Sequence, residues 1–156
     1  MADQNTKIEV SDILYILDHP WKITEKEWQL STGTRKQSLD YINKHLELSH
    51  VDGYSQIWRT ADQKPIAILG GFKSGDRQYE TFFVASIHMN DYALKLSFEM
   101  RMILKQQSAR YKGCMCKLYS TSEHPKQFTW FRFLGFKHNP EGDVGNTRCF
   151  EYMAPL

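Results

Sequence analysis

The stretch QYETFFVASIHMNDYALKLSFEMRMILKQQSAR (Gln78–Arg110) decides the predicted fold, because it joins a strand directly to a long helix. Its first part, Tyr79–Ile87, is rich in aromatic and β-branched residues, which is typical of a buried strand. After the polar residues His88–Asp91, apolar residues recur at helical spacing, and Asn90 or Asp91 is a suitable N-cap. A strand that runs into a helix leaves free backbone N–H groups at the turn, where an anionic ligand can bind.

The N-terminal part of the chain is predicted to be a strand followed by helices. Lys7–Val10 is predicted as a short strand, and Ser11 as the N-cap of a helix that ends at His19–Pro20. A capping-box pattern that begins at Thr24 predicts a second helix. The spacing of apolar residues predicts a third helix over Thr34–Leu48.

The middle of the chain predicts an antiparallel meander of three strands. The strands Tyr54–Arg59 and Pro65–Phe72 are separated by a polar turn, and a second turn at Ser74–Asp76 leads into Tyr79–Ile87. Within the second strand, Gly70–Gly71 indicates a bulge or a close approach of another group to the backbone.

The part of the chain after the long helix is predicted to return to the sheet. Cys114–Tyr119 follows a strand–helix crossover, so we expect it to lie parallel to Tyr79–Ile87. A short helix over Pro125–Phe133, a loop and a last strand over Arg148–Met153 complete the chain. The sequence therefore predicts one α+β domain over residues 1–156. Its mixed sheet contains an antiparallel meander, followed by a parallel strand pair around a central helix.

The composition is that of an ordinary globular protein. The 156 residues are 41% hydrophobic and 24% charged, with a formal net charge of +2. Basic residues are scattered among acidic ones, so we expect no nucleic-acid partner. No apolar run approaches the roughly 20 residues that span a bilayer, and the N-terminal MADQNTKIEV lacks the apolar core of a signal peptide. These features predict a cytoplasmic protein with no membrane partner.

The cysteines and histidines do not form a metal-binding pattern. Cys114 and Cys116 alternate and Cys149 stands apart, so we expect free thiols, with a metal pair from the first two as the alternative. The six histidines are dispersed, without metal-ligand spacing. The motifs of serine hydrolases, zinc proteases and nucleotide-binding loops are absent from the sequence. The sequence predicts no metal.

The order of the predicted elements resembles the GNAT superfamily of N-acetyltransferases over nearly the whole chain. The most specific local match is FTWFRFLGF (Phe128–Phe136), which is similar to the family's helix that ends in Gly-Phe. The resemblance implies a three-layer α/β/α fold. Within the superfamily, this motif and the divergent centre of the chain look most like internal virion or morphogenesis proteins of short-tailed phages. A phage protein of this kind would lie in the host cytoplasm or in the virion.

The resemblance implies that acyl-CoA binds where two parallel strands, Phe82–Ile87 and Cys114–Tyr119, splay apart. Pantetheine would pair with the backbone of the first strand, and the pyrophosphate would rest on N–H groups at the start of the central helix. The implied contacts of acetyl-CoA are Phe83, Val84, Ala85, Ser86, His88, Met89, Asn90, Asp91, Tyr92 and His124. The alternative for His124 is a loop residue that caps a helix or faces solvent.

The turn before the central helix departs from the family's pyrophosphate loop. Glycines in that loop let a phosphate approach the backbone, but this chain has no glycine between Gly75 and Gly113. Asp91 would add negative charge beside a phosphate, whereas a protonated His88 would donate a hydrogen bond to it.

The resemblance also implies residues for acetyl transfer. Glu80, at the start of its strand, is the implied general base that takes a proton from the attacking amine. In many family members a tyrosine four residues before the glycine of Gly-Phe donates a proton, and Phe131 occupies that position here. Tyr119 is then the alternative acid. The structural alternatives are a solvent-facing strand residue for Glu80 and a core or rim residue for Tyr119.

Two functions follow from the sequence, and it leaves open whether the chain is an enzyme. The first is an acetyl-CoA-dependent N-acetyltransferase that acts by direct transfer on a primary amine of a protein or a small molecule. The second is a structural or interaction protein with the same fold and a protein partner, such as a phage virion-associated or host-takeover factor. The missing glycines and Phe131 favour the second function.

Overall fold

The computed structural model describes residues 7–154, and its elements follow the predicted order. The helices are α1 (Val10–Asp18), α2 (Lys22–Glu27), α3 (Arg35–Val51), α4 (Met89–Arg110) and α5 (Pro125–Leu134). The strands are β1 (Gly53–Arg59), β2 (Pro65–Gly75), β3 (Gln78–Ala85), β4 (Met115–Ser120), β5 (Lys137–His138) and β6 (Arg148–Met153). A short 3-10 helix, Pro140–Gly142, lies between the last two strands.

The strands form one mixed sheet with the order β1-β2-β3-β4-β6-β5. The pairs β1–β2, β4–β6 and β5–β6 are antiparallel, and β3–β4 is parallel. This confirms the predicted mixed sheet with a parallel pair after the strand–helix crossover. Within residues 7–154, no helix combines the length and the apolar character that crossing a membrane requires.

The N-terminal predictions need correction. The segment predicted as the strand Lys7–Val10 is irregular up to Glu9, and helix α1 begins at Val10. Its N-cap is Glu9 rather than Ser11, because the Glu9 N–H donates to the Asp12 carboxylate at 2.8 Å.

Two other predicted helix starts are also displaced. Thr24 lies inside α2, where it is buried, and it does not cap that helix. Helix α4 begins at Met89, ahead of the predicted caps Asn90 and Asp91. By contrast, Thr34 is the N-cap of α3, since its hydroxyl accepts a hydrogen bond from the Gln37 N–H at 3.1 Å.

The chain divides into two compact units, and the first consists of Met1–Phe72 and Phe82–Ala93. Its apolar core gathers side chains of α1, α3 and three strands: Ile13, Ile16, Ile42, Leu46, Ile57, Ile68, Phe72, Phe82 and Val84. A Cβ atom at Gly70 would lie 2.4 Å from Cζ of Phe82, so this glycine lets the ring lie against the strand. The predicted close approach is therefore confirmed at Gly70, whereas the register irregularity of β2 falls opposite Trp58 and Arg59.

The second unit consists of Lys73–Thr81 and Leu94–Leu156. Phe131 of α5 packs on Phe150 of β6 with ring centroids 4.7 Å apart, and Phe136 meets Tyr152 at 4.9 Å. Gly135 ends α5 with a φ of 113°, a left-handed conformation that only glycine adopts without strain. The LGF motif therefore ends the helix and returns the chain to the sheet. That all of residues 1–156 form one domain stays a prediction.

A buried ion pair joins α1 to β1 in the first unit. The Asp12 carboxylate accepts a hydrogen bond from Arg59 Nη2 at 2.7 Å, and these residues are 7% and 5% exposed. The same guanidinium donates from Nη2 to the Lys7 carbonyl at 3.0 Å. Because both charges are withdrawn from water, each one depends on the other for its stabilisation.

We expect Asp12→Ala to lower the free energy of unfolding by about 3 kcal/mol, because it leaves the buried Arg59 charge uncompensated. The matched control is Asp18→Ala, which breaks an ion pair with Arg35 whose side chains are 48% and 54% exposed. An exposed pair contributes about 0–1 kcal/mol. Urea unfolding followed by circular dichroism measures the free energy of unfolding of both variants. Equal decreases for Asp12→Ala and Asp18→Ala would contradict the prediction.

Candidate functional site

The turn between β3 and α4 has its backbone N–H groups already bonded. Five consecutive groups have a protein acceptor: Ile87 to the His19 carbonyl, His88 to the Ser86 hydroxyl, Met89 to the Ser86 carbonyl, Asn90 to the Ile87 carbonyl and Asp91 to the His88 carbonyl. The distances lie between 2.8 and 3.3 Å. In this conformation the turn therefore does not present these N–H groups to an anion.

The side chains of the turn are also engaged within the first unit. His88 Nε2 is hydrogen-bonded to the Tyr15 hydroxyl at 2.7 Å, and the two rings are stacked. The Asn90 side-chain oxygen accepts a hydrogen bond from Trp21 Nε1 at 3.0 Å. Met89 is 1% exposed, whereas Asp91 is exposed. Tyr92 is half-buried. The role of these residues in binding CoA stays a prediction.

The edge of β3 that pairs with β4 continues beyond that pairing. Residues Gln78–Thr81 pair with Met115–Leu118, and the Arg77 carbonyl accepts from the Met115 N–H. Because neighbouring residues of a strand direct their backbone groups to opposite sides, the odd-numbered residues of β3 face this edge. The backbone groups of Phe83 and Ala85 therefore belong to it. The Ser86 N–H points the other way and donates to Ile66 of β2.

Residues 19–28, which we call the edge segment, occupy this edge of β3 after Thr81. The Trp21 N–H donates to the Ala85 carbonyl at 3.0 Å, and the Ile87 N–H donates to the His19 carbonyl at 2.8 Å. Pro20 forms an antiparallel bridge with Ser86. The start of the edge segment thus runs beside β3 in the way a further strand would.

Two side chains of the edge segment complete this pairing. The Thr24 hydroxyl accepts a hydrogen bond from the Ala85 N–H at 2.9 Å, and Trp28 Nε1 donates to the Phe83 carbonyl at 2.8 Å. The Trp21 ring lies edge-on to Phe83, with centroids 6.2 Å apart. These are the backbone groups with which pantetheine is implied to pair. They are satisfied by the chain itself, so in this conformation the edge does not fit an extended ligand.

The second unit holds a cluster of ionisable side chains on one face of the sheet. Glu80 of β3 is the cross-strand partner of Lys117 on β4, Lys117 is the partner of Glu151 on β6, and Tyr119 is the partner of Cys149. Cross-strand partners point to the same side of a sheet, so all five share one face. The structure therefore brings together Glu80 and Tyr119, the two residues implied for proton transfer.

The contacts within this cluster are centred on Glu151. Lys117 Nζ lies 3.5 Å from one Glu151 carboxylate oxygen, and the Cys149 thiol lies 3.7 Å from that same oxygen. The other oxygen accepts a hydrogen bond from the Asn139 side-chain amide at 2.9 Å. Glu151 is therefore held by three neighbours.

Burial raises the pKa of Glu80, and the positive charge of Lys117 opposes that rise. Burial also raises the pKa of Tyr119, with further contributions from Cys149 and Glu80. The Tyr119 hydroxyl therefore keeps its proton, and Glu80 is a stronger proton acceptor than an exposed glutamate. Burial raises the pKa of the Cys149 thiol, which favours its neutral form.

The start of α5 provides a structural role for His124. Its Nδ1 accepts a hydrogen bond from the Lys126 N–H at 3.1 Å, which caps the helix, and the residue is exposed. This matches the capping alternative. Phe131 is 3% exposed and packs on Phe150, so the position of the family's tyrosine is part of the core here.

Within residues 7–154, no three His, Cys, Asp or Glu side chains are placed to hold an ion together. Cys114, Cys116 and Cys149 are free, as expected, and the last two are buried.

Sequence reasoning missed the residues that close the β3 edge and those that surround Glu80. Trp21 and Trp28 lie more than 50 residues from Ala85 and Phe83, their partners on β3, and no local pattern marks such contacts. Lys117 and Glu151 could have been found by combining the predicted strands with their pairing, because the alternation of strand residues then places both beside Glu80.

Comparisons with known proteins identify the fold. No family model matches the chain, and no curated protein sequence matches it. The structure is similar to a GNAT superfamily phosphinothricin acetyltransferase from Sinorhizobium meliloti in complex with AcCoA (10% identity, 99% of this chain and 89% of that chain, TM-score 0.65). It is also similar to an acetyltransferase of the GNAT family from Staphylococcus aureus Mu50 (13% identity, 99% of this chain and 99% of that chain, TM-score 0.65).

A third similar structure is the spermidine N-acetyltransferase from Vibrio cholerae in complex with CoA and spermine (12% identity, 98% of this chain and 95% of that chain, TM-score 0.61). These similarities cover nearly the full length of every chain compared. The chain therefore has the fold of the GNAT acetyltransferases, which confirms the predicted fold. The resemblance to phage virion or morphogenesis proteins stays a prediction.

We expect Glu80→Gln to stabilise the protein at pH 7 and to have little effect below pH 4. A raised pKa in the folded state penalises the ionised form, so the penalty is absent below the ordinary value of 4.5 and grows as the pH rises through the folded-state pKa. Glutamine removes the charge and with it the penalty. Melting temperatures at pH 7 and pH 3.5 measure the difference, with the exposed Glu47→Gln as control. Destabilisation at pH 7 would contradict the prediction.

Proposed function

We propose that this chain is an N-acetyltransferase that uses acetyl-CoA and acts on a primary amine in the cytoplasm, with residues 1–156 working as one domain. The observation that carries the proposal is that Glu80 and Tyr119 lie on the same face of the β3–β4 pair, in a fold whose similar structures are acetyltransferases. The spermine complex of one such structure supports a primary amine as the acceptor class. Acetyl-CoA supplies the activated acyl group as a thioester.

In this proposal Glu80 accepts the proton that the amine loses as it attacks the thioester carbonyl. Its raised pKa makes the carboxylate a better proton acceptor, and the positive charge of the neighbouring Lys117 favours its ionised form. Glu80 lies at the parallel strand pair, so it is held on a rigid element.

Tyr119 is the proposed proton donor to the leaving thiolate. It is the second residue after Lys117 on β4, on the same face as Glu80, and its raised pKa keeps the hydroxyl protonated. This assignment replaces the family's tyrosine, whose position is held by the buried Phe131. A thiolate leaves without strong acid assistance, so Tyr119 contributes less than Glu80.

Binding of acetyl-CoA along β3 requires the edge segment to move. The backbone groups of Phe83 and Ala85 are bonded to Trp28, Thr24 and Trp21, and pantetheine would take their place. We propose that the chain exchanges between this closed form and an open form that binds acetyl-CoA. The apparent affinity is then reduced by the fraction of molecules that are open.

A second candidate function is a non-catalytic structural or interaction protein, such as a phage virion-associated or host-takeover factor with a protein partner. The observation that favours it is the closure of both ligand-facing backbone features, the turn after β3 and the edge of β3. The two candidates differ in one measurable property, which is whether acetyl-CoA binds at all.

We expect the double variant Thr24→Val and Trp28→Phe to bind acetyl-CoA at least about fivefold more tightly than the wild type. Each substitution removes one hydrogen bond of the closed form, and such a bond contributes about 0.5–1.5 kcal/mol. Isothermal titration calorimetry measures the dissociation constant of acetyl-CoA for the wild type and for the double variant. Thr32→Val is the control, since its hydroxyl bonds only within its own loop, to the Gln29 carbonyl.

The outcomes of this titration separate the proposals. Equal affinity of the wild type and the double variant would reject the opening of the edge segment but not acetyl-CoA binding. No heat with either protein at millimolar acetyl-CoA would reject the acetyltransferase and leave the non-catalytic candidate.

We expect Glu80→Gln to lower turnover by about 10²- to 10⁴-fold, because general base catalysis contributes a factor of that size. The KM for acetyl-CoA should change little, since Glu80 acts on the amine. Mass spectrometry of acetylated products, with polyamines and lysine peptides as acceptors, provides the assay. Glu47→Gln, an exposed residue of α3, is the control. Unchanged turnover would remove Glu80 from the mechanism.

A further inference from the structure

A cavity of about 610 Å³ lies within the second unit, between the C-terminal half of α4, the end of α5 and strands β5 and β6. Its volume is within the range of about 300–1,000 Å³ that is usual for small-molecule sites. Met115, at the start of β4, lines it. The cavity adjoins the proposed transfer site, because Glu151 lines it and also contacts Lys117, the cross-strand partner of Glu80. Glu80 and Tyr119 themselves are not part of its lining.

Four basic side chains from three elements line this cavity. Arg101 and Lys105 lie one helical turn apart on α4, Arg132 lies in the last turn of α5, and Lys137 begins β5. All four are exposed. In the described part of the chain, none of them forms an ion pair with a carboxylate.

The acidic residue of the cavity does not balance these charges. Glu151 already lies 3.5 Å from Lys117 Nζ and accepts a hydrogen bond from Asn139 at 2.9 Å. Its negative charge is therefore shared with a cation outside the lining. The cavity carries a net positive potential, which concentrates anions.

The walls of the cavity between these cations are apolar and aromatic. Leu104 and Leu134 are buried, and Phe133 and Tyr152 are half-buried. The guanidinium of Arg101 lies 4.9 Å from the centre of the Phe133 ring, so this cation is already held at the wall. A ligand with an apolar or aromatic body finds contacts here that a bare anion does not use.

A purely structural role explains only part of this arrangement. A cation in the last turn of a helix is favoured by the helix dipole, and this accounts for Arg132 in α5. It does not account for Arg101 and Lys105, because α4 continues beyond them to Arg110. The helix dipole also gives no reason for Lys137 to meet the other three at one cavity.

We infer that this cavity binds a phosphorylated small molecule with an aromatic body, of the nucleoside diphosphate class. The guanidinium groups of Arg101 and Arg132 suit bidentate contact with phosphate oxygens, and Lys105 and Lys137 add point charges. The aromatic body packs against Phe133 and the apolar wall. Binding weakens with added salt, because the four cations are exposed.

Calorimetric titration with guanosine diphosphate tests this site. We expect binding of the wild type at or below millimolar concentration, and a loss of at least about fivefold in affinity for Lys105→Glu and for Arg132→Glu. The matched controls are Lys95→Glu on α4 and Lys126→Glu on α5. Both residues are exposed and outside the cavity lining, so the affinity of these two variants for guanosine diphosphate should stay within twofold of the wild type.

Two further ligands separate the charge from the aromatic body. Guanosine has the aromatic base without the phosphates, and pyrophosphate has the phosphates without the aromatic base. We expect each of them to bind at least tenfold more weakly than guanosine diphosphate. Backbone amide shifts of Gly135 and Met153 in the nuclear magnetic resonance spectrum of the wild type locate the ligand without any substitution.

Three results would overturn the inference. They are no binding of guanosine diphosphate at millimolar concentration, an equal loss in the control variants, and pyrophosphate binding as tight as that of the diphosphate. Shifts confined to residues 83–92 would place the ligand elsewhere and would overturn it as well.

Discussion

The hydrogen bonds along one edge of β3 constrain much of the first unit. A strand that leaves its pairing partner exposes N–H and C=O groups that must find other partners when they are buried. β3 reaches this point after Thr81, and residues 19–28 supply the missing bonds. This explains why Thr24 is buried inside a short helix and why Trp28 directs its indole N–H at a backbone carbonyl. The unpaired backbone groups of β3 therefore determine how the chain runs between α1 and α3.

The turn after β3 follows the same rule. Without glycine the backbone cannot open as widely as a phosphate-binding loop does, and its N–H groups bond within the turn and to His19. His19 and Trp21 belong to the edge segment and also contact the turn, at the Ile87 N–H and the Asn90 side chain. Movement of the edge segment would therefore release the edge of β3 and the Ile87 N–H. The N–H groups of residues 88–91 would stay bonded, because their acceptors lie within the turn itself.

The sequence predicted the parts of the structure that depend on local chemistry. Arg148–Met153 is a strand with the predicted bounds, Thr34 caps α3, and the parallel return of the chain follows from the strand–helix–strand crossover. The predictions fail where a partner far away in the sequence determines the role of a residue. Thr24 resembles a cap but bonds to Ala85, 61 residues away. For the site, alternation within β4 places Lys117 and Tyr119 on one face, but only the strand registers bring Glu80 and Glu151 to that face.

Asp12 of α1 is buried and Glu80 of β3 is half-buried, and desolvation acts on both carboxylates with different results. Asp12 is withdrawn from water together with Arg59, which lies 2.7 Å away, so its charge is compensated where it is buried. Glu80 is only partly withdrawn from water, with Lys117 as its neighbour, but Lys117 lies 3.5 Å from Glu151 and divides its charge between two acids. The remaining desolvation raises the pKa of Glu80. If Glu80→Gln stabilises the protein as expected, folding alone does not explain why a glutamate occupies this position. Proton transfer does explain it, because that chemistry needs a carboxylate with a raised pKa.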